Sequence, residues 1–429
     1  MDAKYAVTTV VFQTGERFPV LIERGVGLPL FVPTVFVLSE VRARNLAAHT
    51  IEQVLRAVAI FQLYCDNFGI DVGTRLTDGQ LLTLAEIDGL VRYCRQPMAK
   101  LHCNNPKVAS WSTLPKLPRS LEQLREAMPR RSGVNEVDPS TASMRLCYIR
   151  RYLDWLSRSE ILKLKASDSR RAALDKVAGT TLDAITARLP RGRGTNNTWR
   201  EGMEPEVFDS MLAVIERDSS NNPWTGEHAR ERNALMVLWL ASLGLRRGEL
   251  LGVRVSDINF QSNEVMIPRR ADDPDDPRRE QPNAKTSDRL LPLDENLAQR
   301  THRYIVGLRR GIKGARSHEF LFVANGSGAP LSLSALNKIF VALRSRCGEL
   351  PASLCPHVLR HTWNDRFSEQ MDLAQVPEEQ EKRLRRYLQG WSETSTSPEV
   401  YTRRHRREAA KKASLELQRR MMGSETDGN

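Results

Sequence analysis

Residues 188–200 read RLPRGRGTNNTWR, a stretch with one proline, two glycines, two adjacent asparagines, four arginines and no acid. Neither a helix nor a strand runs through such a segment. Proline removes a backbone donor, glycine gives up the most chain entropy on ordering, and asparagine competes with the backbone for its own hydrogen bonds. The chain therefore folds as separate units on either side of a basic linker at 188–202. The arginines Arg188, Arg191, Arg193 and Arg200 suit a linker that runs along a polyanion, although a solvated linker would look similar.

On the N-terminal side, residues 1–38 read as an extended arm. YAVTTVVF is rich in β-branched residues, TGERFPVLI alternates, and GLPLFVPT carries prolines that interrupt helices. Residues 39–187 are helical in pattern. Thr50 with Gln53 has the form of a capping box, and Ile51, Val54, Leu55, Val58 and Phe61 follow at helical spacing. A second helix is predicted over LTDGQLLTLAEIDGLVRYCRQ. Residues 97–118 read as a basic loop, and Ser120 with Gln123 as another cap. TASMRLCYIRRYLDWLSRS is predicted as an amphipathic helix with Met144, Cys147, Ile149, Tyr152, Trp155 and Leu156 toward the core. Together these make a block of four or five helices.

The second unit, 203–415, opens with helices, including the apolar ERNALMVLWLASLG. It continues through a small β-patch, NEVMIPRR and DRLLPLD, and returns to helices. The acidic, proline-bearing ADDPDDPRREQPN between the two strands reads as a solvated insertion. The last stretch, 416–429, is a tail whose ASLELQRRMM portion is amphipathic. It could pack on a neighbouring subunit or fold back on its own domain. The fold class is thus mainly α with a small β-sheet.

A net charge of +12 points to a polyanionic partner, since each cation placed on a phosphate releases condensed counterions. A basic but inert surface would give the same total. No apolar run reaches the eighteen or so residues of a membrane span, so no membrane partner is expected. The six cysteines are scattered with no CxxC pair, and Cys103 beside His102 has no second pair at metal spacing. A reducing cytoplasm and the absence of a metal site are the simplest reading. No GxxxxGK[ST] phosphate loop occurs, and no cofactor is expected.

The chemistry-bearing residues of the second unit fall in four short strings and one isolated position. Arg246 lies in GLRRGEL. Gly244 is a typical left-handed helix stop and a new helix begins near Gly248, so Arg246 stands at a helix–helix corner, with Glu249 and Asp257 as buttresses. A guanidinium there offers planar paired donors to phosphate oxygens. Lys285 precedes the alternating strand in NAKTSDRLLPL, a hairpin-like place from which an ammonium can reach a leaving oxygen. His357 and Arg360 sit three apart in PHVLRHT. Pro356 fits the first helical position, which puts both in the first two turns beside a helix N-terminus. Trp391 follows LQG. Tyr401 lies in the first turn of a helix opened by Ser397, Pro398 and Glu399, with cations after it from Arg403 to Lys412. Taken singly, each would be read as structural.

In this order and spacing the residues resemble the tyrosine recombinase (phage integrase) family. The likeness covers about 200 residues, from the helix before Arg246 to the Tyr401 helix. In the N-terminal half it is architectural only, an arm before a helical, SAM-like core-binding domain. The resemblance implies that Arg246 and Arg360 clamp a scissile phosphate, that His357 assists proton transfer, that Lys285 is the general acid, and that Tyr401 is the nucleophile. Trp391 stands where most members carry His. Its indole N–H can donate a hydrogen bond but cannot shuttle a proton. The family further implies double-stranded DNA as partner, a homotetramer on paired sites, accessory DNA-bending or directionality proteins, and work in the cytoplasm at a bacterial nucleoid. The implied reaction integrates or excises a mobile element through a 3′-phosphotyrosyl link, without a cofactor. A type IB-like topoisomerase, a telomere resolvase or a catalytically inactive DNA-binding protein would share part of the pattern.

Overall fold

The computed structural model describes residues 4–103, 136–190, 202–282, 286–392, 395 and 403–422. The chain divides into two compact units: Met1–Phe12 with Glu16–Asn196, and Gln13–Gly15 with Asn197–Asn429.

In the first unit β1 (Tyr5–Val11) pairs antiparallel with β2 (Arg17–Glu23), Tyr5 opposite Glu23 and Val11 opposite Arg17. The extended arm ends earlier than predicted. Phe31–Phe36 form helix α1, continued by a π-helical turn over Val37–Val41. Pro33 falls within the first turn of α1, where a missing N–H costs no helical hydrogen bond. Helix α2 (Ala48–Phe68) begins before the proposed capping box. Its N-cap is Ala47, with no side-chain hydrogen bond, so Thr50 falls inside the first turn. Gly69, in the left-handed region at φ 63°, terminates it.

The predicted second helix is two helices. Val72–Thr77 (α3) stops at Asp78–Gly79, and α4 (Leu84–Cys94) starts after Thr83. Here a capping box does form: Thr83 Oγ1 accepts from the Glu86 N–H at 3.3 Å, and Glu86 accepts from the Thr83 N–H at 2.8 Å. Helix α5 covers Met98–Cys103. The proposed Ser120–Gln123 cap lies outside the described residues.

Helix α6 (Pro139–Lys163) is capped by Asp138, whose side chain accepts from the Ser140 N–H. Its buried stripe is Ala142, Leu146, Ile149, Tyr152 and Leu153, not the face centred on Met144 and Cys147, both of which are exposed. Trp155 and Leu156 are half-buried at its margin. The steps of four, three and four residues from Ala142 to Leu153 follow the helical repeat and set that face. Helix α7 (Ser169–Ala187), not anticipated from the sequence, packs Leu174, Leu182 and Ile185 into the same core as Leu55, Val58 and Ile149.

The second unit contains α8 (Pro205–Ile215), α9 (Glu227–Leu243) and α10 (Arg247–Gly252). A three-stranded antiparallel sheet follows, ordered β3 (Ile258–Asn259), β4 (Glu264–Ile267), β5 (Arg289–Pro292), with Val265 opposite Leu291. Then come α11 (Glu295–Tyr304), α12 (Leu333–Arg346), α13 (Pro356–Leu373), α14 (Glu378–Gln389) and α15 (Arg403–Met422). One core runs from Leu235, Trp239 and Leu240 of α9 through Val265 and Leu291 of the sheet to Phe340 and Leu359. Inside it the Trp239 indole N–H donates to Thr301 Oγ1 at 3.0 Å. Leu415 and Leu417 of α15 are exposed.

The insertion after β4 is not a solvated loop. Asp273 and Asp276 are buried. Arg254 pairs with Asp273, and Arg278 pairs with Asp276 at 2.8 Å while donating to the carbonyls of Leu251 and Leu331. The Phe320 ring lies under both guanidiniums. Acidic and basic residues in that segment read as solvent-loving locally, but Arg254 and the carbonyls of Leu251 and Leu331, which hold Asp273 and Arg278, lie elsewhere in the sequence. Among the described residues no helix is long and apolar enough to cross a membrane.

The revised face of α6 gives a direct test. Leu153→Ala is expected to destabilise the first unit by about 2–4 kcal/mol, and Met144→Ala to stay within about 0.5 kcal/mol of the parent, by urea unfolding followed by circular dichroism. A larger loss at Met144 would put the wrong side of α6 in the core.

Candidate active site

The corner between α9 and α10 is built around a glycine. Gly244 ends α9 at φ 60°, and a Cβ there would lie 2.8 Å from the Trp363 ring and 2.7 Å from Gln389 Nε2. Only a residue without a side chain both turns the backbone there and admits those neighbours. Two residues on, Arg246 is extended and serves as N-cap of α10. Its N–H donates to Glu249 Oε2 at 2.9 Å and its Nη1 to Oε1 at 3.2 Å. The Arg246 side chain is 30% exposed and that of Glu249 is fully buried. The corner thus presents a guanidinium to solvent, oriented from behind by a carboxylate.

Glu249 receives more than Arg246. Arg289 Nη2 donates to its Oε2 at 2.8 Å, Thr286 Oγ1 donates to its Oε1 at 2.7 Å, and Arg360 Nη1 stands 3.9 Å from Oε2. Burial alone would raise the pKa of this carboxyl. The charges of Arg289 and Arg360, with the hydrogen bonds from Arg289 and the Arg246 N–H, outweigh it and hold the group at about 2.

Helix α13 brings in the second arginine. Pro356 occupies its first turn and Cys355 is an N-cap with no side-chain hydrogen bond. His357 is half-buried, and its ring meets His361 edge to face at 4.6 Å. Arg360, one turn in, is fully buried. Its Nη1 donates to the Gly244 carbonyl at 2.6 Å, its Nη2 to the Gln389 carbonyl at 3.4 Å, and the Trp391 ring lies 5.4 Å from the guanidinium carbon. Trp391 itself is buried, directly after Gly390 closes α14 in the left-handed region. A buried Arg385 fixes α14 on α13, donating to the Asn364 carbonyl at 2.9 Å and to Ser368 Oγ at 2.6 Å and pairing with Glu381.

The structure therefore gathers Arg246 and Arg360 around one carboxylate, with the Trp391 ring over Arg360 and His357 on the same helix as Arg360. Lys285 and Tyr401 lie outside the described residues, as do Ser397, Arg191, Arg193 and Arg200. Arg188 belongs to the first unit, at the end of α7. Its Nε is 2.6 Å from Asp88 and its Nη1 donates to the Ala184 carbonyl. Sequence reasoning placed Glu249 as a buttress and missed its full role, and it missed Arg289 and Thr286. A signal existed for Arg289. Along β5 it takes the inward position shared by Leu291 and Leu293, where an apolar residue is the rule.

Residues 203–406 match the model of the phage integrase family. The tyrosine recombinase XerA of Thermococcus kodakarensis is 24% identical over 285 residues, covering 65% of this chain and 90% of that protein. Tyrosine recombinase XerD of Halalkalibacterium halodurans is 25% identical over 219 residues, covering 51% of this chain and 60% of that protein. Among solved structures, the Tn1549 transposon integrase (residues 82–397 of that protein) in complex with circular intermediate DNA is 18% identical, with a TM-score of 0.37, and covers 62% of this chain and 81% of that one.

The depressed pKa of Glu249 sets the sign of a pH effect. A carboxyl held near 2 against an ordinary 4.5 stabilises the fold at higher pH, and that contribution, about 3 kcal/mol by linkage, is lost as pH falls from about 5 to 2. Glu249→Gln is expected to be less stable than the parent at pH 7 by about 3 kcal/mol or more, and to lose less stability on acidification. Denaturant unfolding at pH 7, 5 and 3 reads both, and parallel pH profiles would contradict the assignment.

Proposed function

We propose, from the match of residues 203–406 to the phage integrase family, that the chain is a site-specific DNA recombinase that cuts and rejoins DNA through a 3′-phosphotyrosyl intermediate. The observation that carries the reading is the convergence of Arg246 and Arg360 on Glu249, beside the start of α13 that carries His357. Two guanidiniums held by one buried carboxylate, next to a helix N-terminus without a side-chain cap, form a preorganised receptor for an anion.

In the proposed reaction the Tyr401 phenolate, freed of its proton with the assistance of His357, attacks phosphorus in line. The P–O bond to the tyrosine forms and the P–O5′ bond breaks, with the proton for the departing 5′-oxygen supplied by Lys285. Charge on the non-bridging oxygens is met by Arg246, which is partly exposed. Arg360, buried behind it on the same carboxylate, adds its charge to the field. His357 assists proton transfer and the Trp391 N–H donates a hydrogen bond. The bond energy stays in the phosphotyrosyl link, so attack by a 5′-hydroxyl from another strand reseals the backbone without a nucleotide cofactor. Strand exchange then calls for two DNA sites and four subunits. The reading extends to integration and excision of a mobile element, to accessory DNA-bending proteins, and to action on chromosomal DNA in a bacterial cytoplasm.

Tyr401→Phe is expected to form no covalent adduct on a nicked suicide substrate while binding the same DNA within a few-fold of the parent. Persistence of the adduct would overturn the nucleophile. Relaxation of a supercoiled plasmid lacking any preferred site would favour a topoisomerase instead. Replacing Arg191, Arg193 and Arg200 together by Gln is expected to flatten the slope of log affinity against log salt by about one unit for each phosphate deprived of its cation. An unchanged slope would take the linker off the DNA.

A further inference from the structure

Arg289 lies within NAKTSDRLLPL, four residues after Lys285, where the resemblance assigns it no role, and it is 3% exposed. Its three nitrogens go to three different segments. Nη2 donates to Glu249 at 2.8 Å, behind the Arg246 corner. Nη1 donates to Thr286 Oγ1 at 3.2 Å, at the foot of β5. Nε donates to the Leu388 carbonyl at 2.8 Å, in the last turn of α14 before Trp391. Two further contacts close the same joint. The Ser287 N–H donates to the Gly390 carbonyl at 3.1 Å, and a Cβ on Gly390 would lie 2.8 Å from Arg289 Nη1 and 2.8 Å from Thr286 Cβ. Thr286 completes the loop by donating to the other oxygen of Glu249 at 2.7 Å.

A buried arginine with a rigid, planar fork is costly to desolvate, and fewer donors would serve for packing alone. We propose that Arg289 is a positioning residue for strand cleavage. It clamps the foot of β5 to the phosphate-binding corner, so that the residue preceding Thr286 in the chain, Lys285, delivers its proton to the leaving oxygen. The inference rests on the recombinase reading and on Lys285 as the acid, and its test separates the three. Arg289 touches no DNA in this scheme. Its removal slows the step in which the 5′-oxygen departs and leaves phosphate binding by Arg246 in place.

The test compares two suicide substrates, one with the ordinary bridging 5′-oxygen and one with sulfur in its place. A departing thiolate, with a pKa far below that of an alkoxide, leaves without a proton donor. Arg289→Met is expected to lower adduct formation on the oxygen substrate by about 100-fold and to come within about five-fold of the parent on the sulfur substrate, with Lys285→Ala showing the same pattern. Thr286→Val conserves volume and severs the hydroxyl bridge between Arg289 and Glu249. It is expected to give a smaller loss, about ten-fold, rescued in the same way, and serves where Arg289→Met folds poorly. Equal losses on both substrates in the Arg289 and Thr286 variants would make Arg289 a merely structural residue and overturn the proposal. Lys285→Ala without rescue would remove the acid that Arg289 is said to place and overturn it as well. A parent protein that forms no adduct on either substrate would sink the recombinase reading beneath it.

Discussion

A carboxylate without water around it is tolerable only when positive charge surrounds it, and Glu249 is such a group. Its requirement for counter-charge ties Arg246 of the corner, Arg289 of β5 and Arg360 of α13 to one point, although these residues come from distant parts of the second unit. Three guanidiniums around one carboxylate leave the cluster positive. The carbonyls of Gly244, Gln389 and Leu388 accept hydrogen bonds from two of them and supply dipoles, which satisfy donors without cancelling charge. A phosphate entering beside Arg246 would meet a field already paid for by the folding of the domain.

That field is held by geometry as well as by charge. Gly244 turns the chain so that its carbonyl faces Arg360. The same turn sets Arg246 at the head of α10 with its backbone and side chain on opposite oxygens of Glu249. Arg385 pins α14 to α13 and so fixes the carbonyls that Arg360 and Arg289 use. Glu249, Arg289 and Arg360 are each placed by polar contacts that are themselves buried. In a low-dielectric interior such contacts are strong when complete and expensive when broken.

The parts of this arrangement that are local in sequence could be read from it. Gly244 announces a left-handed stop and Pro356 a helix start, so the places of Arg246, His357 and Arg360 followed from turn and cap chemistry alone. What could not be read was set by distance along the chain. Arg289 reaches Glu249 forty residues away, Asp273 in the insertion looks solvated until Arg254 pairs with it, and Arg278, the partner of Asp276, is held by the carbonyls of Leu251 and Leu331. On α6 the apolar residues are spread around much of the helix. Periodicity left the choice between the Met144 side and the Leu146 side to packing against α2 and α7. The Thr83 box formed and the Thr50 box did not, because α2 had already begun at Ala48.

Gly244 and Gly390 share a property that bears on attempts to retarget this enzyme by laboratory evolution. Both sit at positive φ, and both have neighbours pressed to within 3 Å of where a first side-chain carbon would go. Any library that randomises these two codons fills itself with clones that cannot assemble the centre. Variation belongs at positions with room for a side chain, and the two glycines mark the frame to be left untouched.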